Sequence, residues 1–293
     1  MKYPIAAIAV TAALALPSTA LAQAKPTDIY VSVVDAKGAP APGVTAEDFR
    51  VREDGTAREV LKAGPATAPL TVALLVDDSQ AASPALQMIR EAVQEFIAAL
   101  AGKGEMSVVS IGERPTIVVD YTTDTKRLQD GAKRIFPRSG AGGYLMDAIV
   151  DVSRGIQKRE AARPVIVVLM MENSVEFSNR SYDNVLGELA KGGAALHVVS
   201  LGQPSGSLSD ELRNRDQVVA IGTERTGGRR DNVLALTAAA PKMKQLAQEL
   251  LNQYVVTYAR PDTLIPPEKI DVTVARPGLT ARARTRTAPA VRK

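Results

Sequence analysis

Three largely apolar runs constrain this chain more than any other feature: LTVALLV at 70–76, PVIVVLMM at 164–171 and ALHVVSL at 195–201. Each has the length of a strand, and none alternates with polar residues. Both faces of each run must therefore be buried, which places them inside a mainly parallel sheet covered by helices on both sides. Between the runs, Leu86, Ile89, Val93, Phe96, Ile97 and Leu100 recur at helical spacing. Ser83 is the expected N-cap of that helix and Pro84 its first residue. Further helices are expected over Thr125 to Ile135, Leu145 to Gln157 and near Tyr182 to Leu189. MSVVSI and TIVVDY are separated only by Gly112 to Pro115, too short for a crossover, so they form an antiparallel hairpin. The repeated β-α-β order predicts a doubly wound, mostly parallel α/β fold.

The flanks read differently. Residues 1–22 carry one Lys, an apolar stretch broken by Pro17, and Ala20-Leu21-Ala22 with small residues at the cleavage-determining positions. That pattern is expected of a secretory signal peptide and predicts an extracytoplasmic protein, periplasmic or secreted. Residues 23–68 alternate at Ile29, Val31 and Val33 and carry an Asp54-Gly55 hairpin signal, so a β-rich segment is expected that packs on another part of the chain. The α/β domain proper is expected over 69–202, and a polar, irregular loop over 203–232. A helix and strands packing on the core are expected over 233–287, with a frayed tail over 288–293.

Composition excludes several function classes. The 36 basic and 32 acidic residues leave a formal charge of only +4, which is not the balance of a nucleic-acid-binding protein. There is no cysteine, so neither a disulfide framework nor a lipidated Cys is expected. Beyond the leader no segment is apolar for long enough to span a membrane.

In open α/β sheets, ligands bind beyond the carboxyl ends of the strands. The loop that follows the first apolar run reads LLVDDSQAAS, an apolar strand delivering Asp77, Asp78 and Ser79. With the later Gly-rich GAGGYLMDAI and the end of the second run, PVIVVLMMENS, this stretch resembles the von Willebrand factor type A domain and its metal-ion-dependent adhesion site. The lead-in VSVVDAKGAPAPGVTAEDFRVREDGTAREV and the closing TGGRRDNVLAL and IDVTVARPGLTARAR are similar to the bacterial, chiefly acidobacterial, von Willebrand factor A-related subfamily.

The resemblance implies a Rossmann-like fold, a protein partner, and a Mg²⁺ held by oxygens at the strand tops. Asp77 falls at its first ligand position and Ser79 at its second. Ala81 stands at the third position, where a serine belongs, Gly143 at the threonine position, and Met171 at the strand-end aspartate, with Glu172 beside it. Mg²⁺ requires a near-octahedral oxygen shell and gives up its waters reluctantly, so Asp77 and Ser79 alone are a poor shell. The expected reading is a non-enzymatic module without a cofactor. It would bind a protein through a face formed by Asp77, Asp78, Ser79, Gly143 and Glu172.

Two alternatives compete. One is Mg²⁺-dependent binding at a non-standard site with Asp77 and Ser79 as metal ligands. The other is an envelope hydrolase using Ser79 or the acidic rim of Asp77, Asp78 and Glu172. The single histidine, His197, lies about 13 Å below the strand tops at ~3.3 Å per residue, and is expected to be a hydrogen-bonded core residue rather than a base for Ser79. No GxSxG, HExxH or GxxxxGK[ST] motif is present. Arg282, Arg284 and Arg286 alternate with small residues, so they share one side of an extended strand, expected to face solvent at a sheet edge. Gly227 and Gly228 are expected to permit positive φ in a turn.

Overall fold

Four strands, β1 (Ala24–Val34), β2 (Phe49–Glu53), β3 (Thr56–Arg58) and β4 (Val60–Pro65), precede the α/β core. The core runs β5 (Leu70–Val76), α1 (Leu86–Ala99), β6 (Gly104–Ser110), β7 (Thr116–Thr122), α2 (Thr125–Ala132), α3 (Leu145–Arg159), β8 (Pro164–Met171), α4 (Tyr182–Gly192) and β9 (Ala195–Leu201). It continues through α5 (Asp210–Thr226), β10 (Arg230–Val233) and α6 (Ala239–Leu251) before β11 (Tyr254–Pro261), β12 (Ile270–Val274) and β13 (Thr280–Ala283). This computed structural model describes residues 24–204, 206, 209–261 and 265–286; the expected leader and frayed tail lie outside them.

The central sheet has the order β10-β9-β8-β5-β6-β7, parallel except for the antiparallel edge strand β7. Its faces follow from alternation along each strand. Leu70, Val72, Leu74 and Val76 join Val167, Leu169 and Met171 in one core with α1 and α6. Ala73 and Leu75 join Ile166, Val168 and Met170 in a second core with α3, α4 and α5. All seven β5 residues are buried, and fully burying one such Leu or Val side chain stabilises by roughly 1.5–3 kcal/mol. The expected doubly wound α/β fold is the observed one.

The β-rich flanks build one another. β1 lies between the C-terminal strands β11 and β13, antiparallel to both, and β4 completes that sheet beyond β11. β2, β3 and β12 form a second small sheet, whose β2–β3 turn places Asp54 and Gly55 at φ 48° and 79°. These paired positive φ values suit a tight hairpin and explain the Asp-Gly pair. Ile29, Val31, Phe49, Val256 and Tyr258 fill the core between these sheets.

Two expectations about helices and loops fail. Residues 203–232 are not an irregular loop: α5 spans Asp210–Thr226, capped by the Ser209 hydroxyl accepting from Leu212 N–H, and β10 follows as a parallel edge strand. The helix is hard to read because Arg215, Gly222 and Thr223 take places on its buried face beside Leu212, Val218 and Val219, which erases the apolar period. Ser83 does not cap α1 either. A 3₁₀ turn over Gln80–Ala85 contains both Ser83 and Pro84, and the α-helix starts after it.

The Arg282 and Arg284 side chains are not on a solvent face. Both are drawn inward, Arg282 Nη2 donating to Glu249 Oε1 at 2.5 Å and Arg284 Nη2 to the Gly193 carbonyl at 2.6 Å; only Arg286 is exposed. Glu249, 1% exposed on α6, also accepts from Arg229 Nη1 at 3.0 Å. One carboxylate thus joins α6, the start of β10 and the C-terminal strand. Removing one member of such a buried pair leaves the other charge uncompensated. Glu249→Ala is expected to lose about 3–5 kcal/mol of stability, read as a fall in the urea midpoint with unchanged slope.

Candidate functional site

At the carboxyl end of β5 the chain turns on Asp77. Its Oδ1 accepts from Ser79 N–H at 2.9 Å, closing an Asx-type turn, and its Oδ2 accepts from Met171 N–H at 3.0 Å at the end of β8. Both oxygens therefore serve backbone groups. Asp78 is similarly engaged: Oδ1 accepts from Gly112 N–H at 2.6 Å, and Oδ2 from Arg138 Nε at 3.3 Å. Burial pushes the Asp78 carboxyl up, against the opposing pull of Gly112 and Arg138. A side chain at position 112 would strike the Asp78 backbone at 2.7 Å, so this approach requires glycine.

The segment after β8 closes over this turn. Gly143 N–H donates to the Val175 carbonyl at 2.7 Å and Phe177 N–H to the Gly143 carbonyl at 2.8 Å, pinning 174–177 along the Gly-rich loop. Ser174 Oγ lies 3.0 Å from Ser79 Oγ. A Cβ at position 143 would sit 3.1 Å from the same Ser174 hydroxyl, so glycine at 143 and the Ser79–Ser174 contact form one arrangement.

Glu176 caps the start of α3, its Oε2 accepting from Leu145 N–H at 3.3 Å and its Oε1 from Ser178 N–H at 3.1 Å. From α5, Arg215 donates to the carbonyls of Ser174 at 2.7 Å and Glu172 at 3.3 Å. Glu172 turns to the other side, where its Oε1 accepts from Arg230 at 3.0 Å.

The structure thus brings Asp77, Ser79 and Gly143 together, holds Asp78 beside them through Gly112, and sends Glu172 toward β10. All five are buried: Asp77 is 1% exposed, Asp78 3%, Ser79 0% and Glu172 3%, with Gly143 also enclosed. They are not a solvent-facing rim: Ser174 lies against Ser79, Gly112 and Arg138 bond Asp78, and Arg230 meets Glu172. At the surface of this end two large apolar side chains stand beside the exposed Asn173 and Asn179. Val175 and Phe177 are 50% and 49% exposed, and Phe177 packs edge-on against Tyr144 with ring centroids 6.0 Å apart.

Sequence reasoning missed Arg138, Ser174, Glu176 and Arg215. Three lie in loops whose path is set by tertiary contacts, and Arg215 lies on the helix mistaken for a loop. Only the string ENSVEFS after the second apolar run pointed toward Ser174 and Glu176.

A Mg²⁺ shell needs several oxygen donors. Ala81, Gly143 and Met171 bring no side-chain oxygen, each Asp77 oxygen already accepts a backbone N–H, and the Ser79 hydroxyl is engaged by Ser174. No group of three or more His, Cys, Asp or Glu among the described residues could hold a metal ion. This donor set does not fit an octahedral cation.

His197 is fully buried on β9, on the α6 side of the sheet, and neither ring nitrogen has a hydrogen-bond partner, contrary to the satisfied core histidine expected. Burial lowers its pKa to about 4, so the ring is neutral at physiological pH.

The family model for the von Willebrand factor type A domain matches residues 72–171, from β5 to the end of β8. With the sheet order and strand-top turn above, the chain contains a von Willebrand factor type A domain. Among solved structures, the proximal thread matrix protein 1 of the mussel byssus is similar at 12% identity and TM-score 0.50, covering 64% of this chain and 49% of its own. This chain therefore spans about half the length of that protein. A von Willebrand factor type A protein from Catenulispora acidiphila is similar at 10% identity and TM-score 0.49, covering 92% of this chain and 75% of its own. BatB from Bacteroides thetaiotaomicron is similar at 14% identity and TM-score 0.47, covering 61% and 98%. No curated protein sequence matches. No helix among the described residues is long and apolar enough to cross a membrane.

Burial pushes the Glu176 carboxyl up to about 7, against hydrogen bonds from Ser178 and Leu145 and the charge of Arg215. The folded state therefore holds a proton that the unfolded state releases near 4.5, and the associated stability, full below 4.5, is lost as pH rises through 7. The stability of the wild type minus that of Glu176→Gln is expected to fall by at most about 3 kcal/mol between pH 4.5 and 7.5, then level off, in urea titrations at matched ionic strength.

Proposed function

We propose that this chain is an exported, non-enzymatic binding module that engages a protein partner through the apolar strand-top end of its von Willebrand factor type A domain, without a metal ion. Domains of this type are commonly protein-interaction modules. The observation that carries the reading is the covering of the strand-top turn. The acidic residues of the turn are buried, and the segment 172–178 offers Val175 and Phe177 at the surface, Phe177 packed on the half-buried Tyr144. Solitary exposed apolar residues are ordinary, but two exposed apolar side chains held on a pinned loop suit a contact surface. Export rests on the leader-like sequence of residues 1–22.

The hydrolase reading is disfavoured by the same geometry. Ser79 is 0% exposed, and its hydroxyl meets Ser174 rather than a base. A nucleophile needs both access and an activating partner.

The test is site-specific photo-crosslinking from position 177 in the producing cell. A discrete protein adduct is expected in chelator as in millimolar Mg²⁺, with no saturable Mg²⁺ or Mn²⁺ heat on the mature protein. No adduct from position 177 or 175, or an adduct formed only with metal, would overturn the proposal. Labelling by a serine-reactive probe that disappears in Ser79→Ala would overturn the non-enzymatic part.

A further inference from the structure

The opposite end of the central sheet carries a second feature that the strand-top reading does not use. Where β8 and β9 begin, a cavity of about 280 Å³ opens between the α/β core and the β1 sheet, lined among others by Tyr30, Arg163, Gly193, Thr226, Gln253 and Arg284. A second cavity adjoins it and shares Gly193, Thr226 and Arg284, adding Arg225 and Arg286. The length of β8 separates this end from the strand tops by roughly 23 Å at ~3.3 Å per residue.

Two arginines line the first cavity, and neither meets a carboxylate among the described residues. Arg163 is 4% exposed and spends its donors on protein oxygens: the Leu250 carbonyl, Gln253 Oε1 at 2.8 Å, and the Ala66 and Ala68 carbonyls, each at 3.4 Å. Its guanidinium lies 5.4 Å from the Tyr30 ring centroid. Among the described residues Arg284 has one protein bond, from Nη2 to the Gly193 carbonyl, and Nε and Nη1 have no acceptor there.

Burial pushes the pKa of both guanidinium groups down, a sign of desolvated charge. By contrast Arg215, Arg229 and Arg282, also drawn into the fold, each reach a carboxylate. The acids that line the two cavities, Asp28 and Asp183, are exposed to solvent, and Asp28 accepts from the Thr257 hydroxyl at 2.6 Å.

The position of Arg284 is built rather than incidental. Gly227 takes φ +77° at the C-cap of α5, and a Cβ there would strike the Arg284 backbone nitrogen at 2.5 Å. Gly228 has a different role from the positive φ expected of it. A Cβ at that position would fall 1.8 Å from the Leu196 carbonyl oxygen, so glycine lets the chain pass against β9. The Thr-Gly-Gly sequence thereby seats the exit of β13 against the turn that follows α5, with Thr285 N–H donating to the Arg225 carbonyl at 3.0 Å.

We propose that this cavity binds the oxyanion of a small molecule, a carboxylate or a phosphate, with the free Nε and Nη1 donors of Arg284 as the direct contacts and Arg163 as a fixed second charge. A planar guanidinium with unused donors matches either anion bidentately. A desolvated cation without a counter-charge is costly, and an arriving anion relieves that cost. The cavity volume suits a metabolite-sized ligand rather than a protein segment. The ring of Tyr30 supplies an apolar wall for the body of such a ligand.

The test uses the mature full chain with inorganic phosphate and with acetate, each against sodium chloride at equal ionic strength. The thermal midpoint is expected to rise saturably with one of the two anions, and the shift to vanish in Arg284→Gln while persisting in Arg286→Gln. Modification of Arg284 by phenylglyoxal in the wild type, read by mass spectrometry, is expected to slow several-fold with the same anion, whereas Arg286 is unaffected. That measurement needs no variant to fold. Protection by phosphate alone identifies a phosphate ligand, and protection by acetate alone a carboxylate. Protection by neither, or a shift that survives in Arg284→Gln, overturns the proposal.

Discussion

The carboxylate of Glu249 is the joint on which the assembly of this chain turns. Burial alone would push it up, yet the guanidinium groups of Arg282 and Arg229 hold it below the ordinary range. It is therefore an anion inside the protein, held by arginines from the start of β10 and from the last strand. Buried charges survive only when paired. Here the pairing ties the C-terminal strand to a helix of the central core, and β1, between β11 and β13, is carried with it. The β-rich layer is thus anchored by charge as well as by its own small core.

The two ends of the central sheet have opposite characters. At the carboxyl end, Asp77 and Asp78 accept from backbone N–H groups and Arg138, Glu172 meets Arg230 through one oxygen, and an apolar pair is left outside. At the amino end, two guanidinium groups line a cavity, and neither is paired with a carboxylate among the described residues. An adhesion-type turn that relied on a cation would need free oxygens at the carboxyl end. In this chain those oxygens have become hydrogen-bond acceptors for the turn itself, which is a stabilising use of the same residues.

Much of the core was legible from sequence because burial on both faces leaves a simple mark. Leu70–Val76 and Pro164–Met171 read as unbroken apolar runs, and both are interior strands. The hairpin of β6 and β7 was legible from a linker too short for any crossover. α5 was not, because Arg215 reaches carbonyls of the 172–174 segment, Thr223 bonds the Val219 carbonyl at 2.7 Å, and Gly222 lets the side chains of Leu189 and Leu196 approach. Each is buried for a tertiary reason, and none counts as apolar. Of Arg282, Arg284 and Arg286, read from their alternation as one side of an extended strand, only Arg282 lies within β13, and only packing shows where each side chain goes.

By itself, the sequence determined the central sheet, the hairpin at its edge, and the presence of Asp77 and Ser79 in a strand-to-helix turn lacking oxygens at Ala81, Gly143 and Met171. These follow from local periodicity and residue chemistry, which need no knowledge of distant contacts. The tertiary structure alone decided that the acidic turn is covered, that Val175 and Phe177 are what this end offers, and that Arg163 and Arg284 share a cavity. Those outcomes depend on where residues 172–178 and the C-terminal strand come to rest. Both positions are set by hydrogen bonds and ion pairs between residues far apart in the chain.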